Sequence, residues 1–249
     1  MREIFAMWSN TRMVVLTALT AALYAAVLIP FKIATIVPGF TEVRPGVAVP
    51  LVFGLLFGPA AAWGAGIGNL IGDVLGGTFG LGSIPGFVGN FLFALTPYKL
   101  LGPPPTGVAL TGDATWKTTG RFVAAALPAS AVCAATIAWG VDLLGFVPFA
   151  VLGPVIFLNN LVVGIVLGPV LLRLLLPRVA AWHLLWSDVM PPSLPRPERV
   201  RLGRVLLWAG AVGMLLVGLA AAWGLGGALI AGIGVLPFLL LFLVGAFIA

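Results

Sequence analysis

The chain has 249 residues, of which 61% are hydrophobic and only 8% charged, against roughly a quarter charged in an average soluble domain. Too little polar surface is available for a soluble fold, so the class expected is all-α: a polytopic transmembrane helical bundle. The net charge of +6 comes from basic residues that flank apolar stretches, which reports membrane topology and speaks against a nucleic-acid partner.

Spans are expected at about residues 13–30, 45–58, 59–76, 84–101, 122–144, 147–172, 205–223 and 227–249. The first follows Arg2 and Arg12 and could pass for a secretory signal. More spans follow, however, and no small-residue cleavage site stands apart from the Ala-rich helix, so the segment is expected to be retained. Along it Ala18, Ala22 and Ala26 recur every four residues. Such a ridge lets two backbones approach closely, either inside this protein or in docking a separate membrane subunit.

The loop Phe40-Thr41-Glu42-Val43-Arg44-Pro45-Gly46 puts an acid and a base two residues apart where the chain re-enters the membrane. Glu42 and Arg44 could anchor the loop as an ion pair or meet a solute at the bilayer mouth. The next span, 45–58, is short and broken off by Gly58-Pro59, so a re-entrant segment is an alternative. Charge decides for a crossing. With all eight spans and the N-terminus inside, nearly every Lys and Arg falls on the inner side, leaving only Lys32 and Arg44 outside.

On the third span Gly64, Gly68, Gly72 and Gly76 form a second small-residue ridge, and Asn69 and Asp73 share one face near the external end. An intramembrane carboxylate is a functional candidate, although Asp73 could instead cap the helix or pair with Arg44. Asn90 on the fourth span and Asn159-Asn160 on the sixth lie deeper, where amides must bond to a neighbouring helix or a bound molecule. A cluster of amides could recognise a heterocycle with mixed polar edges. Trp63 and Trp139 read as belt residues at the membrane boundaries, Tyr98 as an inner-interface anchor beside Lys99, and Cys133 as a small packing residue.

Residues 1–180 are expected to form a six-helix substrate-binding core. Residues 181–204, with Pro191, Pro192, Pro195 and Pro197 among arginines, read as a semi-rigid cytoplasmic linker, and 205–249 as a C-terminal transmembrane hairpin. The lone histidine, His183, falls in the linker, so no His-based triad or zinc site forms at membrane depth. No Gly-x-x-x-x-Gly-Lys-Ser/Thr loop is present, so any ATP hydrolysis is expected on a partner. No cofactor or metal is implied.

Four features carry a family likeness: six helices with both ends inside; the opening Leu16-Thr17-Ala18-Leu19-Thr20-Ala21-Ala22-Leu23-Tyr24-Ala25-Ala26; the Arg44-Pro45-Gly46 lead into the second helix; and the run from Phe57-Gly58-Pro59 through Gly68-Asn69-Leu70-Ile71-Gly72-Asp73. Over about residues 11–178 the chain resembles the substrate-binding S component of energy-coupling factor (ECF) transporters, vitamin-uptake relatives of ABC importers. The resemblance implies solute capture from the external side by Glu42, Arg44, Asp73, Asn90, Asn159 and Asn160, with Asn69 beside Asp73. It implies docking of a transmembrane coupling subunit on Ala18, Ala22 and Ala26, and two ATPase subunits that supply energy. The hairpin departs from the six-helix pattern.

The function expected is therefore a membrane-embedded capture subunit for a small micronutrient, a vitamin or precursor, in the cell membrane with both termini cytoplasmic. A self-sufficient secondary transporter or channel is the first alternative, although no duplication of two related halves is found. A membrane enzyme or assembly factor using Asp73 and Asp142 is the second.

Overall fold

The computed structural model describes residues 2–32, 34–38, 40–104, 113–190, 197–225 and 233–249. The protein is an all-α membrane bundle with one small β-hairpin. Its helices are α1 (Arg2–Ala6), α2 (Thr11–Phe31), α3 (Ala48–Phe57), α4 (Pro59–Leu75), α5 (Ser83–Leu101), α6 (Asp113–Leu143), α7 (Phe149–Ala181), α8 (Trp186–Val189), α9 (Pro197–Ala222) and α10 (Val235–Ile248). Among the described helices α2, α6, α7 and α9 are long and apolar enough to cross a bilayer. Pro97, Pro128, Pro154 and Pro169 sit inside helices, tolerated where neighbouring helices satisfy the freed backbone groups.

The glycine ridge of α4 is an internal seam. A Cβ on Gly64 would lie 2.5 Å from Thr20 Cβ, and one on Gly68 would lie 2.8 Å from Ala21 O. Glycine therefore lets α2 and α4 meet backbone to backbone, the close packing that membrane helices use where lipid gives no hydrophobic drive. The alanine ridge of α2 points the other way: Ala18, Ala22 and Ala26 are exposed, beside exposed Leu19 and Leu23.

Helix α3 occupies the middle. Apart from Val49 its residues are buried, and its Gly54 faces Ala94 and Pro97 of α5 while Leu51 reaches Gly164 and Gly168 of α7. With the 3-10 turn Pro45–Val47 ahead of it, the rod is on the order of 20 Å long, short of the ~30 Å hydrocarbon thickness. It ends at Gly58, whose φ of 55° belongs to the left-handed region that favours glycine. A side chain there would also strike Tyr98 and Trp186.

That end of the bundle is closed by aromatic and charged groups. Lys99 Nζ donates to Glu3 Oε1 at 2.6 Å, Tyr98 Oη donates to the same oxygen at 3.2 Å, and the Tyr98 and Trp186 rings meet edge to face. Tyr98, beside Lys99 as expected, is buried there. Trp63 donates to Ile4 O at 2.9 Å and meets Trp8 and Phe91 edge to face, fastening α1 to α4. Cys133 is fully buried, as a packing residue should be.

Of the stretch read as a linker, Trp186–Val189 forms a helical turn with Trp186 buried, and Pro197–Arg204 belongs to α9; residues 191–196 lie outside the described residues. Helices α9 and α10 pack so closely that a Cβ on Gly210 would lie 2.5 Å from Phe242 N. Of the two, α9 rests on α6 and α7, with Gly218 against Phe149.

Candidate functional site

At the opposite end from Lys99, α2 runs out at Phe31 and the chain turns through an antiparallel hairpin, Thr35–Val37 with Thr41–Glu42. The hairpin sets two cations at different depths. Lys32, at the end of α2, reaches across to the end of α4, where its Nζ donates to Asp73 Oδ1 at 2.9 Å and to Thr78 Oγ1 at 3.0 Å. Arg44, at the start of the turn into α3, is 5% exposed and donates from Nη2 to Asn69 Oδ1 at 2.7 Å.

Asn69 is the junction of the network. Its Oδ1 also accepts from Asn90 Nδ2 at 3.0 Å, and its own Nδ2 donates to Asp73 Oδ2 at 3.1 Å one helical turn away. Asn90 in turn donates to Gly86 O at 2.8 Å and accepts from Tyr24 Oη at 2.7 Å. Three helices, α2, α4 and α5, and the turn into α3 are thereby tied by side chains whose burial without partners would be strongly unfavourable. Asp73 pairs with Lys32, and Arg44 meets Asn69 one helical turn away.

The network leaves room beside it. A pocket of about 190 Å³ is lined by polar Lys32, Arg44, Asn69 and Asp73 and by apolar Phe40, Ile137, Val141 and Phe146. Its volume is below the ~300–1,000 Å³ of sites for drug-sized ligands, so it suits a small solute. The rings of Phe40 and Phe146 approach to 5.8 Å, bringing the loop after α2 against the loop after α6 at the pocket wall.

Of the residues expected from sequence, Arg44, Asn69 and Asp73 line this pocket. Asn90 stands behind Asn69. Asn159 Oδ1 accepts from the Arg44 backbone N–H at a long 3.5 Å. Asn160 is 1% exposed and makes no well-formed hydrogen bond among the described residues; the thiol of Cys133 lies beside it. The side chain of Glu42 lies outside the described residues. Lys32, Thr78 and Tyr24 were not singled out for the site. Lys32 left one signal, as one of two cations that the eight-span reading of the sequence sets apart from the others.

A membrane bundle with a half-polar pocket sunk into one end is the architecture of a solute-transport component. The model of the QueT transporter family matches residues 14–177, and the chain belongs to that family, S components of ECF transporters. The match covers α2 to most of α7 and leaves α9 and α10 beyond it. No curated protein and no solved structure matches the chain.

Proposed function

We propose that this protein is the substrate-capture subunit for uptake of a small micronutrient precursor, a queuosine precursor by the family's description, energised by a separate ATPase complex. The observation that carries the reading is the pocket lined both by Lys32, Asp73, Arg44 and Asn69 and by aromatic and aliphatic groups. A flat heterocycle with a polar edge matches such walls. The charge bias along the chain supports placement in the cell membrane with both termini cytoplasmic and the pocket facing out. The solute enters by exchanging partners with the Lys32–Asp73 pair at the mouth, and Asn69, Asn90, Asn159 and Asn160 hold the walls around it. Exposure of Ala18, Ala22 and Ala26 supports their use as the docking ridge for a transmembrane coupling subunit.

The test is uptake of a labelled queuosine precursor by a host lacking other importers for it, together with binding to the purified protein. Ala22→Trp is expected to abolish uptake while binding persists, and Asp73→Asn to weaken binding by about tenfold or more. Uptake that proceeds without any ATPase partner would overturn the proposal.

A further inference from the structure

Far from the pocket, the seam between the family-matched core and the hairpin holds two arginines facing the same point. Arg121 of α6 points Nη2 at Leu101 O, the end of α5, at 3.5 Å. Arg204 of α9 reaches the same turn: a Cβ on Gly102 would lie 3.6 Å from its Nη2. The two guanidiniums are near enough to act on each other's charge. Among the described residues neither forms a salt bridge, and the buried Nε of Arg204 has no hydrogen-bond partner.

The end of α5 explains only part of this. A helix C-terminus carries about half a negative charge, which favours one nearby cation and leaves most of a second uncompensated. Two like charges side by side, with guanidinium donors to spare, form a fork suited to the oxygens of a phosphate.

Depth selects the source of that phosphate. Arg204 is the last charged residue before the uncharged stretch from Val205 to Ala249, and Arg121 the last before uncharged Phe122–Val141. Both therefore mark the level where polar chain gives way to hydrocarbon, the depth of lipid headgroups. Exposed Leu202 and Val205, on either side of Arg204 in the chain, offer apolar surface for acyl chains.

We propose that Arg121 and Arg204 bind a phosphate-bearing anion at the boundary of the membrane, an anionic phospholipid headgroup that clasps the C-terminal hairpin to the core. The site does not depend on the pocket or its solute.

The test is native mass spectrometry of the full chain in detergent with phosphatidylglycerol, phosphatidylcholine or inorganic phosphate added. Wild-type protein is expected to retain phosphatidylglycerol in preference to phosphatidylcholine. The double variant R121Q/R204Q is expected to lose that preference, with affinity falling by on the order of tenfold or more. R121K/R204K keeps the charge and is expected to bind more weakly than wild type but more tightly than the glutamine pair. R201Q, which removes an exposed arginine of the same helix, should leave retention unchanged, and size-exclusion profiles identify any variant that misfolds. Retention of inorganic phosphate alone, lost in R121Q/R204Q, would keep the anion site and assign it to a free anion. Equal retention of both lipids by wild type without phosphate binding, or undiminished selectivity in a folded R121Q/R204Q, overturns the proposal.

Discussion

Helices α2 and α4 in the core and α9 and α10 in the hairpin solve one packing problem by one device and differ in what they enclose. In each pair glycines let backbones touch, Gly64 and Gly68 against Thr20 and Ala21, Gly210 against Phe242. Beside the first seam lie Tyr24, Asn69, Asp73 and Asn90, joined in a buried network. Beside the second lie Leu207, Ala211, Met214 and Ala246, fully buried and apolar. Close backbone approach alone thus makes a membrane hairpin. Polar groups become affordable at such a seam only when several helices supply partners together, and that is where the pocket opens.

Breaking each seam should separate the two regions. Gly68→Leu drives a side chain into the α2 backbone and is expected to remove about 4 kcal/mol or more, seen as loss of monodisperse protein. Gly210→Leu should instead unseat α10 while solute binding to the core stays within about threefold, since the pocket shares no residue with the hairpin. Asn69→Leu comes next. It takes a shared acceptor from Arg44 and Asn90 and a donor from Asp73, an expected loss of about 2–4 kcal/mol in thermal unfolding, together with solute binding. Tyr24→Phe removes one hydrogen bond at the edge of the same network, with an expected loss of about 1 kcal/mol.

The smallest effect lies at the other end of the core. Burial pushes the Glu3 carboxyl up, but the hydrogen bond and charge of Lys99 outweigh it and hold the group at about 2, below its ordinary 4.5. A depressed carboxyl stabilises the fold above its ordinary range and loses that contribution as pH falls from 4.5 towards 2. Glu3 is one-third exposed, so less than about 1 kcal/mol is expected. Lys99→Met should flatten the dependence of melting temperature on pH in that window.

Much of this was legible in the residues themselves. The apolar stretches place α2, α4 and α5 within a few positions, and the four-residue period of Gly64 to Gly76 announces a close helix contact. What period cannot say is which ridge faces inward: the glycines took α2, leaving the alanines exposed. Charge runs shortened two helices on paper. Helix α6 begins at Asp113 and α7 continues to Ala181, because Lys117, Arg121, Arg173 and Arg178 ride on helix that emerges from the apolar layer.

The site was legible in its residue types and hidden in its pairing. Asn69 and Asp73 could be named because polar groups at membrane depth need partners, and Arg44 because it stands in a loop at the bilayer mouth. Which partner each takes depends on a hairpin of three and two residues, too short for alternation to show. The end of α2 holds Lys32 at the rim and the hairpin returns the chain to set Arg44 beside Asn69, which no spacing along the chain foretells.

Helix α3 carries a consequence for reading other sequences. Wrapped by its neighbours on nearly every side, it never has to match the thickness of the oil around the bundle, because protein and not lipid sets its length. Bilayers of different thickness therefore bear on the outer helices and leave this inner rod alone, and a hydropathy window tuned to a lipid-facing helix will pass straight over it.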